Sequence, residues 1–79
     1  MVTADSIKQG IEARLGCRHV EVIGDGQHFQ AVIVSPDFAG KSRVQRHQLV
    51  YAALGDRMRE EIHALSMRTL TPEEWASSG

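Results

Sequence analysis

Two runs rich in β-branched residues, HVEVI (His19 to Ile23) and HFQAVIVS (His28 to Ser35), are separated only by Gly24-Asp25-Gly26-Gln27. A turn-forming cluster that short, set between two strand-like runs, commits the middle of the chain to a β-hairpin. In the second run Phe29, Ala31 and Ile33 share one face with Ser35, and Val32 and Val34 share the other with Gln30. Apolar side chains on both faces imply cover on both sides, which predicts that this is the central strand of a sheet.

The flanking segments read as helices. Ile7, Ile11 and Leu15 recur at four-residue spacing in a segment that Thr3 or Asp5 can cap and Gly16 can stop. After the break Ser35-Pro36-Asp37-Phe38-Ala39-Gly40, helical spacing returns from Ser42, with Val50, Leu54 and Met58 beside Leu49 and Ala53. Gly55-Asp56 interrupts or bends that second helix. Leu65, Met67 and Thr69 then alternate with Ser66 and Arg68 as a third strand. Thr71 as N-cap, Pro72 at the first helical position and Glu74 completing a capping box start a short last helix. Its last ordered turn carries Trp75, and the expected frayed tail begins near residue 76.

The order helix, hairpin, helix, strand, short helix predicts a two-layer α+β domain, α-β-β-α-β-(α), with a three-stranded sheet and the helices on one face. A helical crossover lets the third strand lie parallel to a hairpin strand, without saying which one. The 79 residues suit a single domain over 1–79, with little surface to spare for a deep catalytic cleft. A binding module rather than an enzyme is expected.

The longest apolar run, Ala31 to Val34, is far short of a membrane span, and the N-terminus lacks a basic-then-apolar leader pattern. One cysteine, Cys17, rules out an internal disulfide and cannot alone form a thiolate metal site. The expected compartment is the cytoplasm, without membrane attachment.

Gly40-Lys41-Ser42 follows an apolar strand and opens a helix, like the end of a phosphate-binding loop, but Ser35 stands where the first glycine of that loop belongs. Nucleotide hydrolysis is not expected. Lys41, Arg43 and Arg46 nevertheless crowd a helix start, where the macrodipole favours acidic residues. They form either a solvated basic face or a site for phosphate, nucleic-acid backbone, glutathione carboxylates or an acidic partner surface. The net charge of −1 and the scarcity of aromatic residues confine any nucleic-acid signal to this segment.

Four histidines form the other set. His19 reads as a surface residue at a strand start, and His47 as a packed helical one. His28 leaves a glycine-rich turn, and His63 stands where helical spacing gives way to alternation. Each of the last two is either an exposed metal ligand or a satisfied, half-buried imidazole. Cys17 with His19 makes a weak thiol–imidazole candidate with no oxyanion donor nearby. Glu60-Glu61 and Glu73-Glu74 read as helix-surface and capping carboxylates.

The residues FQAVIVSPDFAGKSRVQRHQLVY (Phe29 to Tyr51) and IHALSMRTLTPEEW (Ile62 to Trp75), together with the turn GDGQHF (Gly24 to Phe29), resemble the BolA family and its short IbaG-like bacterial branch. The resemblance implies a BolA-like α/β domain akin to a type II KH arrangement. It implies a monothiol glutaredoxin partner and a [2Fe–2S] cluster shared with that partner and glutathione, bound only in the complex. His63, in I-H-A-L, matches the family's usual cluster ligand, and His28 is the available hairpin-loop ligand. Some relatives are transcriptional regulators or stress-morphology proteins, so the resemblance also implies DNA as a partner through Lys41, Arg43 and Arg46. It allows a weak homodimer as well. The G-x-x-G clamp that KH domains use on nucleic-acid backbone is absent.

Overall fold

The structure is a computed structural model, and it describes residues 3–24, 27–55 and 64–78. Helix α1, Ala4–Arg14, starts at Thr3, whose hydroxyl accepts from the Ser6 N–H while the Ser6 hydroxyl accepts from the Thr3 N–H. Strands β1, His19–Gly24, and β2, Phe29–Val34, form the antiparallel hairpin. A short 3-10 turn, Pro36–Phe38, leads to α2, Arg43–Leu54. Strand β3, Leu65–Leu70, and α3, Pro72–Ser78, complete the described elements.

The strand order is β1-β2-β3, so β2 is central, and β3 runs parallel to it from Phe29↔Leu65 to Val34↔Leu70. This fixes the neighbour that spacing alone left open. The register aligns Val20, Ile33 and Thr69 across one face and His19, Val34 and Leu70 across the other. On the first face Val20, Phe29, Ala31, Ile33 and Leu65 pack with Ile7 and Ile11 of α1, Val50 and Leu54 of α2, and Phe38. The two long helices therefore cover that face, as the apolar stripes require.

Helix α3 is placed differently. Trp75 stacks on His19, with ring centroids 5.0 Å apart and 19° between planes, and His19 belongs to the row on the opposite face. The shortest helix thus closes one end of the sheet rather than joining α1 and α2. It also runs to Ser78, past the position where fraying was expected.

Local chemistry explains the boundaries. Leu54 ends α2 because Gly55 follows with φ +59°, a backbone state that side chains resist. Met58 lies outside the described residues. Ser35 is fully buried, and its hydroxyl donates to the Gly16 carbonyl at 3.1 Å while accepting the Asp37 N–H at 3.1 Å. The Asp37 carboxylate accepts the Gly16 N–H at 3.1 Å. The break after β2 is therefore tied to the turn after α1 by two hydrogen bonds, with a third bracing the break itself.

Candidate functional site

The Gly40-Lys41-Ser42 segment forms a helix cap. The Ser42 hydroxyl accepts the Gln45 N–H at 3.2 Å and the Gln45 side chain accepts the Ser42 N–H at 2.9 Å, a reciprocal capping box. The position of Ser35, which spoils the likeness to a phosphate loop, is the structural tie between α1 and β2.

Beside that cap, a groove of about 430 Å³ is lined by Lys41, Arg43, Arg46 and His47 with Met67, Arg68, Thr69 and Glu74. Its two walls are the first turn of α2 and strand β3, and the start of α3 closes one end. The three cations expected from spacing do line one groove, but they are not equivalent. Arg46 is enclosed, with its side chain 14% exposed, and donates to Glu74 Oε1 at 2.8 Å and Oε2 at 3.3 Å. It also donates to the backbone oxygens of Thr69 at 3.2 Å and Lys41 at 3.0 Å, and its guanidinium lies 6.0 Å from the Phe38 ring centroid. A guanidinium held by a bidentate pair and two carbonyls is a structural clamp.

Glu74 is committed in the same way. It accepts the Thr71 N–H at 2.8 Å as half of a second capping box, with the Thr71 hydroxyl accepting the Glu74 N–H. The hydrogen bond from Arg46, and then that from Thr71, holds its carboxyl below the usual carboxylate range. Among the described residues, no carboxylate pairs with Lys41, Arg43 or Arg68. Among the described residues, the groove therefore presents more positive than negative charge. His47, half-buried in it, has its imidazolium disfavoured by burial and then by the Arg43 charge, so its pKa is lowered.

Sequence reading missed Arg68 and His47 as members of this groove. Arg68 comes from β3, well beyond α2 in the sequence, and the β2–β3 register brings it beside the start of that helix. A helical i, i+4 step from Arg43 to His47 was the available signal for the second.

The expected ligand histidines lie elsewhere. His28 is exposed immediately before β2 and lines a shallow recess with Ile23, Gly24 and Gln30. His63 lies outside the described residues, as do Asp25 and Gly26 of the turn. Cys17 is half-buried, and burial, with Glu12 and Asp37 adding to it, pushes its thiol up to about 11. A thiol so poorly ionised is a weak nucleophile and a weak metal ligand. His19, a surface residue by its place in the sequence, is the ring under Trp75, with Nε2 3.5 Å from a Glu21 carboxylate oxygen. Among the described residues, no group of three or more His, Cys, Asp and Glu is arranged to hold a metal ion.

The sequence model of the BolA-like protein family matches residues 2–74. The chain belongs to the BolA-like family. Its similarity to the acid stress protein IbaG of Escherichia coli K12 is 44% identity over 63 residues, 78% of this chain and 75% of that one. Protein BOLA2 of Arabidopsis thaliana is 40% identical over 95% of this chain and 85% of its own. The DNA-binding transcriptional regulator BolA of Haemophilus influenzae is 48% identical over 66% of this chain, which spans half of that protein's length.

Among solved structures, a BolA homologue from Coxiella burnetii superposes with a TM-score of 0.83 at 49% identity, covering 96% of this chain and 99% of that one. Yeast Fra2 does so with 0.75 at 36% identity, covering 95% and 85%. The BolA-like fold inferred from motifs is thus the fold of the molecule. The names of these bacterial relatives describe regulators and stress proteins. Among the described residues, no helix is long and apolar enough to cross a membrane.

Proposed function

We propose that this BolA-like chain is a non-enzymatic cytoplasmic adaptor that binds a monothiol glutaredoxin and shares a [2Fe–2S] cluster with it, through His63 and His28. The observation that supports this reading most is the Phe29↔Leu65 pairing, which sets the starts of β2 and β3 side by side. His28 is the residue before β2, and His63 stands two positions before β3 in the sequence. Two histidines that precede neighbouring strands in the sequence suit one ligand set, and imidazole in place of thiolate raises the potential of a [2Fe–2S] centre. With Cys17 half-buried and poorly ionised, the thiolates of such a set belong to glutaredoxin and glutathione. The cluster supplies electron-transfer or transfer-cargo chemistry when bound; the chain's own part is to present and orient nitrogen donors.

The test mixes the protein with a monothiol glutaredoxin, glutathione, iron and sulfide, and records visible absorption and circular dichroism. Wild type is expected to change the glutaredoxin cluster spectrum, and His63→Ala to abolish that change while keeping its fold. Identical spectra from the two folded proteins would remove His63 from the proposal.

The groove favours a second reading, DNA binding, because Lys41, Arg43 and Arg68 carry positive charge with no acidic partner among the described residues. In that reading Arg46 contributes by holding the groove together. Lys41→Gln, Arg43→Gln and Arg68→Gln are then expected to weaken DNA binding across sequences. Each cation–phosphate pair removed should flatten the dependence of log K on log salt by about 0.7–0.9. Unchanged affinity and slope in the triple variant would exclude this face.

A further inference from the structure

We propose that the groove between the start of α2 and strand β3 is a binding site for a compact oxyanion of the phosphate class, and that His47 takes up a proton as the anion enters. This inference is independent of the glutaredoxin reading and of His63.

Three observations carry it. The first is the cavity, whose volume of about 430 Å³ is ample for a tetrahedral anion with part of its attached group. The second is the sorting of its charges. Arg46 and Glu74 satisfy each other at 2.8 Å, leaving Lys41 from the loop, Arg43 from α2 and Arg68 from β3 as cations without an acidic partner among the described residues. Cations from three separate elements around a concave surface focus positive potential into it. The third is His47, half-buried in the same wall, one helical turn after Arg43.

The proton follows from the charges. Burial, and then the Arg43 charge, disfavour imidazolium at His47. Among the described residues, the charged groups around His47 in this groove are Lys41, Arg43, Arg46 and Arg68 on the positive side and Glu74 on the negative, and α1 contributes none to the lining. Glu74 is turned to Arg46 and the Thr71 N–H, so it does little to offset the cations. An incoming dianion offsets most of the local positive charge, and an opposite charge within a few ångströms favours the protonated ring. By linkage, anion affinity must then rise as pH falls through the range in which the bound and free forms of His47 differ in protonation. Each unit by which the anion raises the His47 pKa strengthens binding about tenfold between the alkaline and acid limits.

The test uses the whole folded chain and sulfate, which stays dianionic from pH 5 to 8, so that only the protein titrates. His47 is followed by NMR with sulfate and with chloride at matched ionic strength. Sulfate is expected to raise the His47 midpoint, and binding to be about tenfold tighter at the acid end per unit of that rise. His47→Gln should keep sulfate binding but flatten its pH dependence, and Arg43→Gln with Arg68→Gln should lose binding at all pH values. Circular dichroism establishes that each variant is folded.

Inorganic phosphate and a short single-stranded oligonucleotide then separate the sources of the ligand. Binding of sulfate and phosphate without the oligonucleotide marks a free anion or phosphomonoester, whereas binding of all three extends the same site to nucleic-acid backbone. Binding of the oligonucleotide alone would overturn the compact-anion site. A midpoint shifted equally by chloride would mean screening alone and overturn it too. Full pH dependence persisting in His47→Gln would overturn the role of His47.

Discussion

The Ser35 hydroxyl both donates to Gly16 and accepts from Asp37, in a place with no access to solvent. Removing it leaves the Gly16 carbonyl and the Asp37 N–H without that partner at a part-buried site, at a cost of about 0.5–1.5 kcal/mol. Ser35→Ala is expected to lower the unfolding free energy by that amount, read in urea as a lower midpoint with little change in slope, and an unchanged midpoint would show that water replaces the hydroxyl. In sequence, Ser35 shows only as a missing glycine. Its meaning depends on Gly16, 19 positions away, and no local pattern reports a hydrogen bond of that separation. The pairing of Arg46 is hidden for the same reason. As one of three cations at a helix start it reads as a ligand-binding group, but its partner Glu74 is 28 positions on. The helix start, the cap residues and the alternation of β2 were legible because each depends on neighbours within about four residues.

At the level of elements, α3 has seven residues and none of them is buried. A helix so short is not stable alone, so its position depends on the contacts at its two sides. On one side Glu74 bonds Arg46 and Thr71, and on the other Trp75 stacks on His19. The Glu74 carboxyl titrates below its ordinary value of 4.5, so its contribution is complete above about that pH and disappears as pH falls through the lower, folded value. Fluorescence of Trp75, the only tryptophan, is therefore expected to report release of α3 on acidification, before the sheet unfolds. In Glu74→Gln, which cannot form the ion pair, that acid step should be absent and Trp75 already partly released at neutral pH. A wild-type step that coincides with global unfolding would refute a separate docking. The capping box of this helix was readable from T-P-E-E. Its place across the end of the sheet was not, because a strand gives no sign of which end a following turn will close.

For the whole molecule, Phe38 is the residue on which the layers converge, with 0% exposure between the sheet, α1 and α2. Stability of about 0.05–0.15 kcal/mol per residue amounts to roughly 4–12 kcal/mol for a chain of 79 residues. Truncating a buried phenylalanine costs about 3–5 kcal/mol. Phe38→Ala is expected to be largely unfolded at 37 °C, with near-ultraviolet circular dichroism lost. A cooperative transition within a few degrees of wild type would show that the core collapses around the gap. Spacing marked this residue as part of a loop, since a single turn between strand and helix has no period to reveal a core position. The sheet order was half legible for a related reason: hairpin pairing follows from a short turn, but the neighbour of β3 is decided by where α2 packs.

The same arrangement leaves β3 at the margin of the sheet, where an unpaired row of peptide groups invites another chain to add a strand. Leu70 turns its carbonyl inward to the Ser35 N–H, so Thr69, by alternation, turns its own outward, and Arg46 occupies it. The guanidinium that organises the groove is thereby also a stopper on the sheet. It denies a second molecule the last rung of this edge and opposes end-on growth into larger β-assemblies.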